Sequence, residues 1–409
     1  MRFTDAYAAC TVCSPTRAAV MSGKYPARLH LTDWIAGHRR PNAKLLPPDW
    51  RMYLPLEETT LAEAMKEAGY ATAHIGKWHL GDPPYYPEHQ GFDVNIGGDR
   101  YGQPASYFWP YANKQRKTPI VGGHEGEYLT DRLTDEALRF IDAHAAEPFF
   151  IYFAHYAVHT PLQAKEELIA HYRQKLDSGI DTGKQRCDVY AAMVHSVDES
   201  VGRIVAALDE KNLLDDTIII FTSDNGGLTL PRLDGIPPTD NSPLRAGKGS
   251  TYEGGVRVPA IVRWPKRVPK GSVSHEPIIS TDYYPTILEL AGIPPKPEQH
   301  VDGLSIVPLF DGAETLPRDA IYWHYPHYHP GGATPYSAVR ARDWKLIEFF
   351  EDGHLELYNL KEDLSEQHDL AAEKPDLAKR LRAQLQAWRE SVGAQYPRPN
   401  PNYKPSGAK

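Results

Sequence analysis

Apolar residues recur along most of the chain in two alternating patterns, one typical of helices and one typical of buried strands. Apolar positions three or four residues apart predict amphipathic helices, and each helix is followed by a short apolar run with the length of a strand. The predicted helix and strand pairs are 60–69 with 70–75, 133–141 with 149–154, and 190–208 with 217–222. This alternation predicts an α/β fold with a largely parallel central sheet flanked by helices.

The pattern changes in the last quarter of the chain. The stretches 338–350 and 354–360 each predict a single strand, and the turn 351–353 predicts that the two strands pair antiparallel. Leucines at helical spacing then predict a terminal helix that includes Trp388. We therefore predict a larger α/β domain at 1–318 and a smaller C-terminal α+β domain with an antiparallel sheet at 319–409.

Composition and charge restrict the class of protein. The 409 residues are 41% hydrophobic and 24% charged, as in soluble globular proteins with a sizeable core. A formal net charge of -8 without a long basic run argues against nucleic acid as a partner. No apolar run reaches the roughly 18 residues of a membrane span, and no signal peptide follows Met1. Three cysteines are too few for a disulfide framework.

Cys13 opens the pentapeptide Cys-Ser-Pro-Thr-Arg, which predicts a helix N-terminus because Pro15 suits the first helical turn. Free amides there favour an anion or an activated nucleophile, and Arg17 lies about one turn further on. Cys10 and Cys13 have C-x-x-C spacing, but a second such pair is lacking for a zinc site. A cysteine phosphatase loop would need a different spacing from cysteine to arginine. Taken alone, the motif is more typical of a buried structural cysteine.

Further candidate residues follow predicted strands. Lys77 and His79 come directly after the strand that ends near Gly76, at the sheet edge where open α/β folds bind ligands. A cation and an imidazole on one loop suit an oxyanion. His159 and Lys248 lie in two other loops. Each of these motifs is weak by itself, since lysines and histidines on loops are usually only solvated.

Asp224 and Asn225 follow the strand 217–222 and precede two glycines. Carboxylate and amide oxygens are ligands for hard cations, so the pair predicts Ca²⁺ or Mg²⁺ in preference to a soft transition metal. The same four residues are also an ordinary turn signal.

Together and in this order, these motifs resemble the sulfatase family of the alkaline-phosphatase-like superfamily. The pentapeptide 13–17 is similar to the first sulfatase signature and the stretch 69–79 to the second. The resemblance continues through 257–259 and 358–360, so it covers nearly the whole chain. It implies the alkaline-phosphatase-like fold and a sulfuric ester hydrolase.

The resemblance also implies how such an enzyme works. A separate formylglycine-generating maturation enzyme would convert Cys13 into formylglycine, whose hydrate supplies the nucleophilic oxygen. Arg17 and Lys77 would hold the hydrate and the sulfate oxygens, and His79 would take the proton when sulfate is expelled. This role explains a cysteine that has no disulfide partner.

The remaining roles also come from the resemblance. His159 and Lys248 would bind the sulfate and help to protonate the departing oxygen. Asp224 and Asn225 would hold a divalent ion, with Ca²⁺ expected first and Mg²⁺ second.

One departure from the family pattern concerns the start of the chain. Sulfatases of this family begin with an apolar strand that ends in paired aspartates, whereas this sequence starts at a later segment, and Asp5 is not at the matching position. We therefore expect a truncated start or a degenerate relative, an incomplete metal site and unpaired backbone groups in the central sheet. Because no leader is visible, a periplasmic or secreted location is expected from the resemblance alone.

The substrate is predicted from aromatic and histidine side chains. Trp109, Trp323, His324 and His327 are candidates for lining the mouth of a pocket, since aromatic faces suit sugar rings. Ordinary packing between the domains explains them equally well. The resemblance favours a sulfated carbohydrate over a simple aryl sulfate. Two other functions stay open: a phosphodiester or phosphonate monoester hydrolase, and a non-catalytic protein that binds sulfated glycans.

Overall fold

A computed structural model describes residues 1–232 and 234–404 of the chain. The helices are α1 Cys13–Ser22, α2 Pro26–Leu29, α3 Leu61–Glu67, α4 Leu129–Ala143, α5 Glu166–Asp177, α6 Asp188–Glu210, α7 Glu253–Val256, α8 Tyr283–Leu290, α9 Val307–Phe310 and α10 Pro375–Ser391. Single-turn 3₁₀ helices lie at Pro83–Tyr85, Pro87–His89 and Ser280–Asp282. The strands are β1 Arg2–Phe3, β2 Ala6–Tyr7, β3 Leu45–Leu46, β4 Ala71–Gly76, β5 Val94–Ile96, β6 Phe149–Ala154, β7 Ile219–Thr222, β8 Ala260–Arg263, β9 Val273–Ser274, β10 Ile278–Ile279, β11 Ile321–Tyr325, β12 Tyr336–Ala341, β13 Trp344–Phe349, β14 Leu355–Asn359 and β15 Arg398–Pro399.

The central strands form two sheets. Strands β5, β4 and β6 are parallel and lie in that order. Strands β7, β8, β1 and β9 form the second sheet, in which β8 runs antiparallel to both of its neighbours. Two further two-stranded sheets are formed by β10 with β2 and by β15, near the C-terminus, with β3.

Helices cover both faces of the parallel sheet because successive side chains of a strand point to opposite faces. Ala73 and Ile75 of β4 pack in one apolar cluster with Leu133 and Ala137 of α4. On the opposite face, aromatic side chains of β6 pack against a second cluster that contains residues of α1, α3 and α8. The predicted arrangement of a parallel sheet flanked by helices is confirmed.

The C-terminal part forms an antiparallel sheet in the order β11, β12, β13 and β14, and α10 packs against β12 and β13. The sheet and the helix are confirmed, but the prediction of one strand over 338–350 is wrong. The stretch is a hairpin of β12 and β13, and its turn contains Arg342 with a φ of 55°. A left-handed arginine carries no glycine or proline signal, so the sequence pattern does not reveal this turn.

The predicted boundary between residues 318 and 319 stays a prediction. One apolar cluster joins Tyr7 and Val12 of the N-terminal segment to Trp323 and Leu346 of the C-terminal sheet, so the two parts share a core. The predicted C-terminal domain runs to residue 409, and its last five residues lie outside the described part of the chain.

A break in the central sheet lies between β6 and β7. Within residues 1–232 and 234–404, β6 pairs only with β4 and β7 only with β8. Both strands line one cavity of about 1230 Å³, which extends to Lys77, Asp224 and Lys248. Across the same residues, no helix combines the length and the apolar character needed to span a membrane.

Candidate functional site

Cys13 is the first residue of α1, where the predicted helix N-terminus is found. Its side chain is 3% exposed, and the Lys248 Nζ donates a hydrogen bond to the Cys13 Sγ over 3.3 Å. Burial acts to raise the pKa of the Cys13 thiol, but the charges of Lys248 and Lys77 outweigh burial and lower that pKa well below its ordinary value. Cys13 is a free cysteine in a strongly positive surrounding.

The end of β4 brings Lys77 and Arg17 together. Gly76 has a φ of 105°, and a Cβ there would lie 2.0 Å from the Ala154 carbonyl oxygen, so only glycine lets the backbone pass this close to β6. The Lys77 amide then donates to the same oxygen over 2.7 Å. Arg17 Nε donates to the Trp78 carbonyl over 2.8 Å, and Arg17 also donates to the Lys77 carbonyl. These bonds hold both cations at the carboxyl end of β4.

Both buried imidazoles of the site are kept neutral at ordinary pH. The Lys248 Nζ donates to the His159 Nε2 over 3.1 Å, so the His159 Nδ1 carries the proton and donates to the Thr160 carbonyl over 3.0 Å. Burial, with the neighbouring lysines, lowers the pKa of His159 and of His79. His79 donates through Nε2 to the Ile35 carbonyl, and its Nδ1 is buried without a hydrogen-bond partner.

Asp224 and Asn225 follow β7 and face the same cations. The Asp224 Oδ2 lies 3.4 Å from both the Lys77 Nζ and the Arg17 Nη1. Burial acts to raise the pKa of Asp224, but Lys77 and Arg17 outweigh it and the pKa is lowered. Gly226, which follows Asn225, has no room for a side chain, because a Cβ there would lie 1.8 Å from the Gly254 carbonyl oxygen.

Hydrogen bonds between loops fix the position of Lys248. The Lys248 amide donates to the Gly227 carbonyl over 2.9 Å, which joins the loop after β7 to the lysine loop. The Gly249 amide donates over 2.9 Å to the hydroxyl of Thr11, two residues before Cys13. The Thr11 hydroxyl in turn donates to the Ser250 carbonyl over 2.7 Å. No local sequence pattern indicates this role of Thr11, because the contact spans more than 230 positions of the chain.

The family resemblance implies a divalent cation, for which Asp224 and Asn225 are the predicted oxygen ligands. The Asn225 Oδ1 is buried and has no hydrogen-bond partner, which is the state expected of an oxygen that awaits a cation. A hard cation prefers about six to eight oxygens. The described residues contain no group of three or more His, Cys, Asp and Glu side chains that could hold a metal. The two side chains fit such an ion in donor type.

The predicted substrate residues lie in different surroundings. Trp109 is 38% exposed on the loop after β5. Trp323, by contrast, is 2% exposed, and its Nε1 donates to the Ala8 carbonyl over 2.9 Å. His324 donates to the Gln395 carbonyl over 2.7 Å, and His327 is hydrogen-bonded to the Thr32 hydroxyl over 2.8 Å. Trp323, His324 and His327 thus lie inside the packed interior.

The structure brings together the eight residues predicted for catalysis and metal binding: Cys13, Arg17, Lys77, His79, His159, Asp224, Asn225 and Lys248.

This cluster can bind a tetrahedral oxyanion and act on it. Arg17, Lys77 and Lys248 provide the positive charge, and His79 and His159 are neutral imidazoles that can exchange protons. Cys13 lies beside them at a helix N-terminus.

Comparisons with known proteins agree with this arrangement. The sequence model of the Sulfatase family matches residues 1–293, and the model described as N-sulphoglucosamine sulphohydrolase, C-terminal, matches residues 247–391. The chain is 32% identical over 450 residues to a sulfatase of Formosa agariphila, covering 92% of this chain and 79% of the relative. It is 33% identical over 345 residues to N-acetylgalactosamine-6-sulfatase of Canis lupus familiaris, covering 79% of this chain and spanning 61% of that protein's length.

The fold has solved counterparts. The crystal structure of Ps i-CgsB in complex with k-i-k-neocarrahexaose has a TM-score of 0.77 and 33% sequence identity, and the match covers 98% of this chain and 86% of the other. The predicted alkaline-phosphatase-like α/β fold is therefore confirmed. The chain belongs to the sulfatase family.

Proposed function

We propose that this chain hydrolyses sulfate esters of carbohydrates at the site around Cys13. The observation that carries the proposal is the convergence of Lys248, Lys77 and Arg17 on Cys13 and on Asp224, which prepares one small volume for the anionic tetrahedral group of a sulfate ester. The sulfatase family membership and the sugar-bound relative support this substrate class.

The substrate sulfate is held by the three cations, and its ester oxygen faces the pair of Lys248 and His159. Lys248 donates to both the Cys13 Sγ and the His159 Nε2, so it lies between the attacking position and the histidine. As the ester bond breaks, the alcohol oxygen gains negative charge and takes a proton from this pair. His79, the second neutral imidazole near Cys13, accepts the proton that must leave the nucleophilic group when sulfate is expelled.

Arg17 is a positioning residue in this mechanism as well as an anion ligand. Two of its guanidinium nitrogens donate to the carbonyls of Lys77 and Trp78, and the third faces Asp224. This fixes the loop that carries Lys77, so the binding site exists before substrate arrives.

Formylglycine at position 13, made by a formylglycine-generating maturation enzyme, is part of the proposal, and this modified residue would supply the nucleophilic oxygen. A free, buried cysteine with a strongly lowered pKa at a helix N-terminus supports that choice. Mass spectrometry of the peptide that contains Cys13, from protein coexpressed with such an enzyme, is expected to show the thiol sulfur replaced by an aldehyde oxygen. An unmodified thiol in an active preparation would exclude formylglycine.

We propose Asp224 and Asn225 as two ligands of a divalent cation, Ca²⁺ first and Mg²⁺ second. Such an ion would act as a Lewis acid that stabilises negative charge on the sulfate oxygens. The unpartnered Asn225 Oδ1 supports this assignment. A location outside the cytoplasm, periplasmic or secreted, belongs to the same proposal, and fractionation of the source cells tests it.

Hydrolysis rates with paired substrates test the reaction. The chain is expected to release p-nitrophenol faster from p-nitrophenyl sulfate than from a p-nitrophenyl phosphonate monoester, and to release sulfate from sulfated oligosaccharides. A clear preference for the phosphonate would replace the proposal by a phosphonate monoester hydrolase. Binding of sulfated glycans without turnover, even after addition of Ca²⁺, would replace it by a glycan-binding protein.

A further inference from the structure

His159 lies in the loop after β6, and each of its polar groups has a hydrogen-bond partner. Its amide donates to the Tyr156 carbonyl over 2.9 Å, and its Nδ1 donates to the Thr160 carbonyl over 3.0 Å. Its Nε2 accepts from the Lys248 Nζ over 3.1 Å. The His159 carbonyl accepts a hydrogen bond over 2.9 Å from the hydroxyl of Tyr107. Tyr107, on the loop after β5, therefore holds the main chain of His159.

Tyr107 is itself fixed from several sides. Its side chain is 0% exposed, and its ring packs on the Tyr128 ring with 5.8 Å between the ring centres. Its carbonyl accepts from the amide of Leu129, the first residue of α4, over 2.7 Å. Its amide donates to the Gln163 Oε1 over 2.8 Å. Burial raises the pKa of the Tyr107 hydroxyl, so the hydroxyl keeps its proton and acts as a fixed donor.

The position of His159 bears on the direction of the Lys248 ammonium. The Lys248 Nζ donates to the Cys13 Sγ over 3.3 Å and to the His159 Nε2 over 3.1 Å. An ammonium has three hydrogens, so these two contacts determine where the third one points. A shift of the imidazole would turn that hydrogen away from its present direction.

We propose that Tyr107 is a positioning residue for the protonation of the departing alcohol. Its hydroxyl holds the His159 carbonyl, and thereby keeps the imidazole at the place where it meets Lys248. The inference rests on the proposed function, which gives the pair of Lys248 and His159 the task of protonating the ester oxygen. Tyr107 acts on the reaction through His159.

This role depends on the leaving group. An alcohol that is a weak acid leaves with a large negative charge on its oxygen and needs the proton most. A more acidic alcohol carries that charge more easily and needs the proton less. The Tyr107 hydroxyl should therefore matter most for esters of weakly acidic alcohols, a class that includes the hydroxyl groups of sugars.

Two aryl sulfates test this dependence, since phenol is a much weaker acid than p-nitrophenol. Sulfate release from phenyl sulfate and from p-nitrophenyl sulfate is measured by ion chromatography, with the full chain coexpressed with a formylglycine-generating enzyme. Tyr107→Phe removes a single oxygen atom. It is expected to lower kcat/KM at least about tenfold for phenyl sulfate and at most about threefold for p-nitrophenyl sulfate.

Two further variants show whether the effect passes through His159. Tyr128→Phe is the matched control, because Tyr128 is also buried and its hydroxyl donates to a carbonyl of the same loop, that of Gln163, over 2.8 Å. It is expected to leave the ratio of the two kcat/KM values within about twofold of wild type. His159→Gln should lower this ratio by itself, and the addition of Tyr107→Phe should lower it no further, since the two changes remove one function.

Equal losses with both aryl sulfates in a Tyr107→Phe variant that keeps its circular dichroism spectrum would overturn the inference. A further selective loss in the double variant would also overturn it. If Tyr107→Phe does not fold, Gln163→Leu takes its place, because it removes the acceptor of the Tyr107 amide. The same selective loss is then expected, and equal losses would again overturn the inference.

The wild-type chain separates this inference from the proposed function. If it releases sulfate from neither aryl sulfate, the proposed function falls, and the role of Tyr107 falls with it. If it releases sulfate from both and the variants show no selective loss, the proposed function stands and only the role of Tyr107 is removed.

Discussion

Lys345 of β13 is the centre of a buried ionic cluster between the two parts of the chain. Its side chain is 0% exposed, and its Nζ lies 2.9 Å from the Glu253 Oε1 and 2.9 Å from the Glu366 Oε1. Glu253 begins α7, shortly after the loop that carries Lys248, and its amide donates to the Glu366 Oε2 over 2.7 Å. Replacing Lys345 by methionine would leave two buried carboxylates without their shared cation.

The cost of this change follows from burial. Removing one partner of a buried ion pair costs about 3 to 5 kcal/mol, because the remaining charge stays desolvated. In the intact protein, burial and the charge of Glu253 raise the pKa of Glu366 from 4.5 to about 7, although Lys345 opposes them. The folded state thus holds a proton that the unfolded chain releases above pH 4.5, so the stability from Glu366 is full at low pH and is lost as pH rises through 7.

Without the Lys345 ammonium the pKa of Glu366 rises further. The free energy of unfolding of the variant should therefore fall more at high pH than at low pH. We expect Lys345→Met to lower the free energy of unfolding by about 3 to 5 kcal/mol at pH 8. At pH 5.5 Glu366 is protonated in both folded proteins, so we expect a loss smaller by about 1.4 kcal/mol, the effect of the one pH unit between 7 and 8 over which only the variant keeps this proton.

Urea unfolding followed by circular dichroism at both pH values measures this difference. Lys379→Met on the exposed face of α10 is the matched control, and its expected effect is within about 0.5 kcal/mol. A loss below about 1 kcal/mol at pH 8, or an equal loss at both pH values, would refute the reasoning.

Three further predictions concern single sites. Thr60→Ala removes the capping box that the Thr60 hydroxyl and Glu63 form at the start of α3, and should lower the free energy of unfolding by about 1 kcal/mol in urea titrations. Gly226→Ala places a Cβ against the Gly254 carbonyl oxygen, so it should reduce kcat at least about tenfold through displacement of the site loop; near wild-type kcat would contradict this. Lys248→Met removes a nearby charge, so in unmodified protein the pH profile of Cys13 alkylation by iodoacetamide should shift to higher pH; an unmoved profile would contradict the role of Lys248.

The periodic part of the fold could be predicted from the sequence. The strand predicted over 149–154 is β6, and the helix predicted over 190–208 lies inside α6. Long apolar patterns identify such elements because burial on one face requires them. The hairpin turn at Arg342 was missed, since its left-handed backbone is imposed by the pairing of β12 with β13 rather than by a turn residue.

The site shows a similar division. Motif residues such as Lys77 and Asp224 lie at the carboxyl ends of β4 and β7. Their positions shortly after a predicted strand are enough to place them there. His329 and Thr11 have no motif, and their contacts with the Lys248 loop join parts of the chain that are far apart in sequence. Long-range contacts of this kind follow from tertiary packing, which local patterns do not encode.

The most direct test of the central claim is the release of inorganic sulfate from a sulfated oligosaccharide, measured by ion chromatography with three proteins. The wild-type chain, coexpressed with a formylglycine-generating enzyme, and the Cys10→Ala variant should both release sulfate. Cys13→Ala should release none while keeping its circular dichroism spectrum. Equal sulfate release by Cys13→Ala, or loss of release by a folded Cys10→Ala variant alone, would contradict a site centred on Cys13.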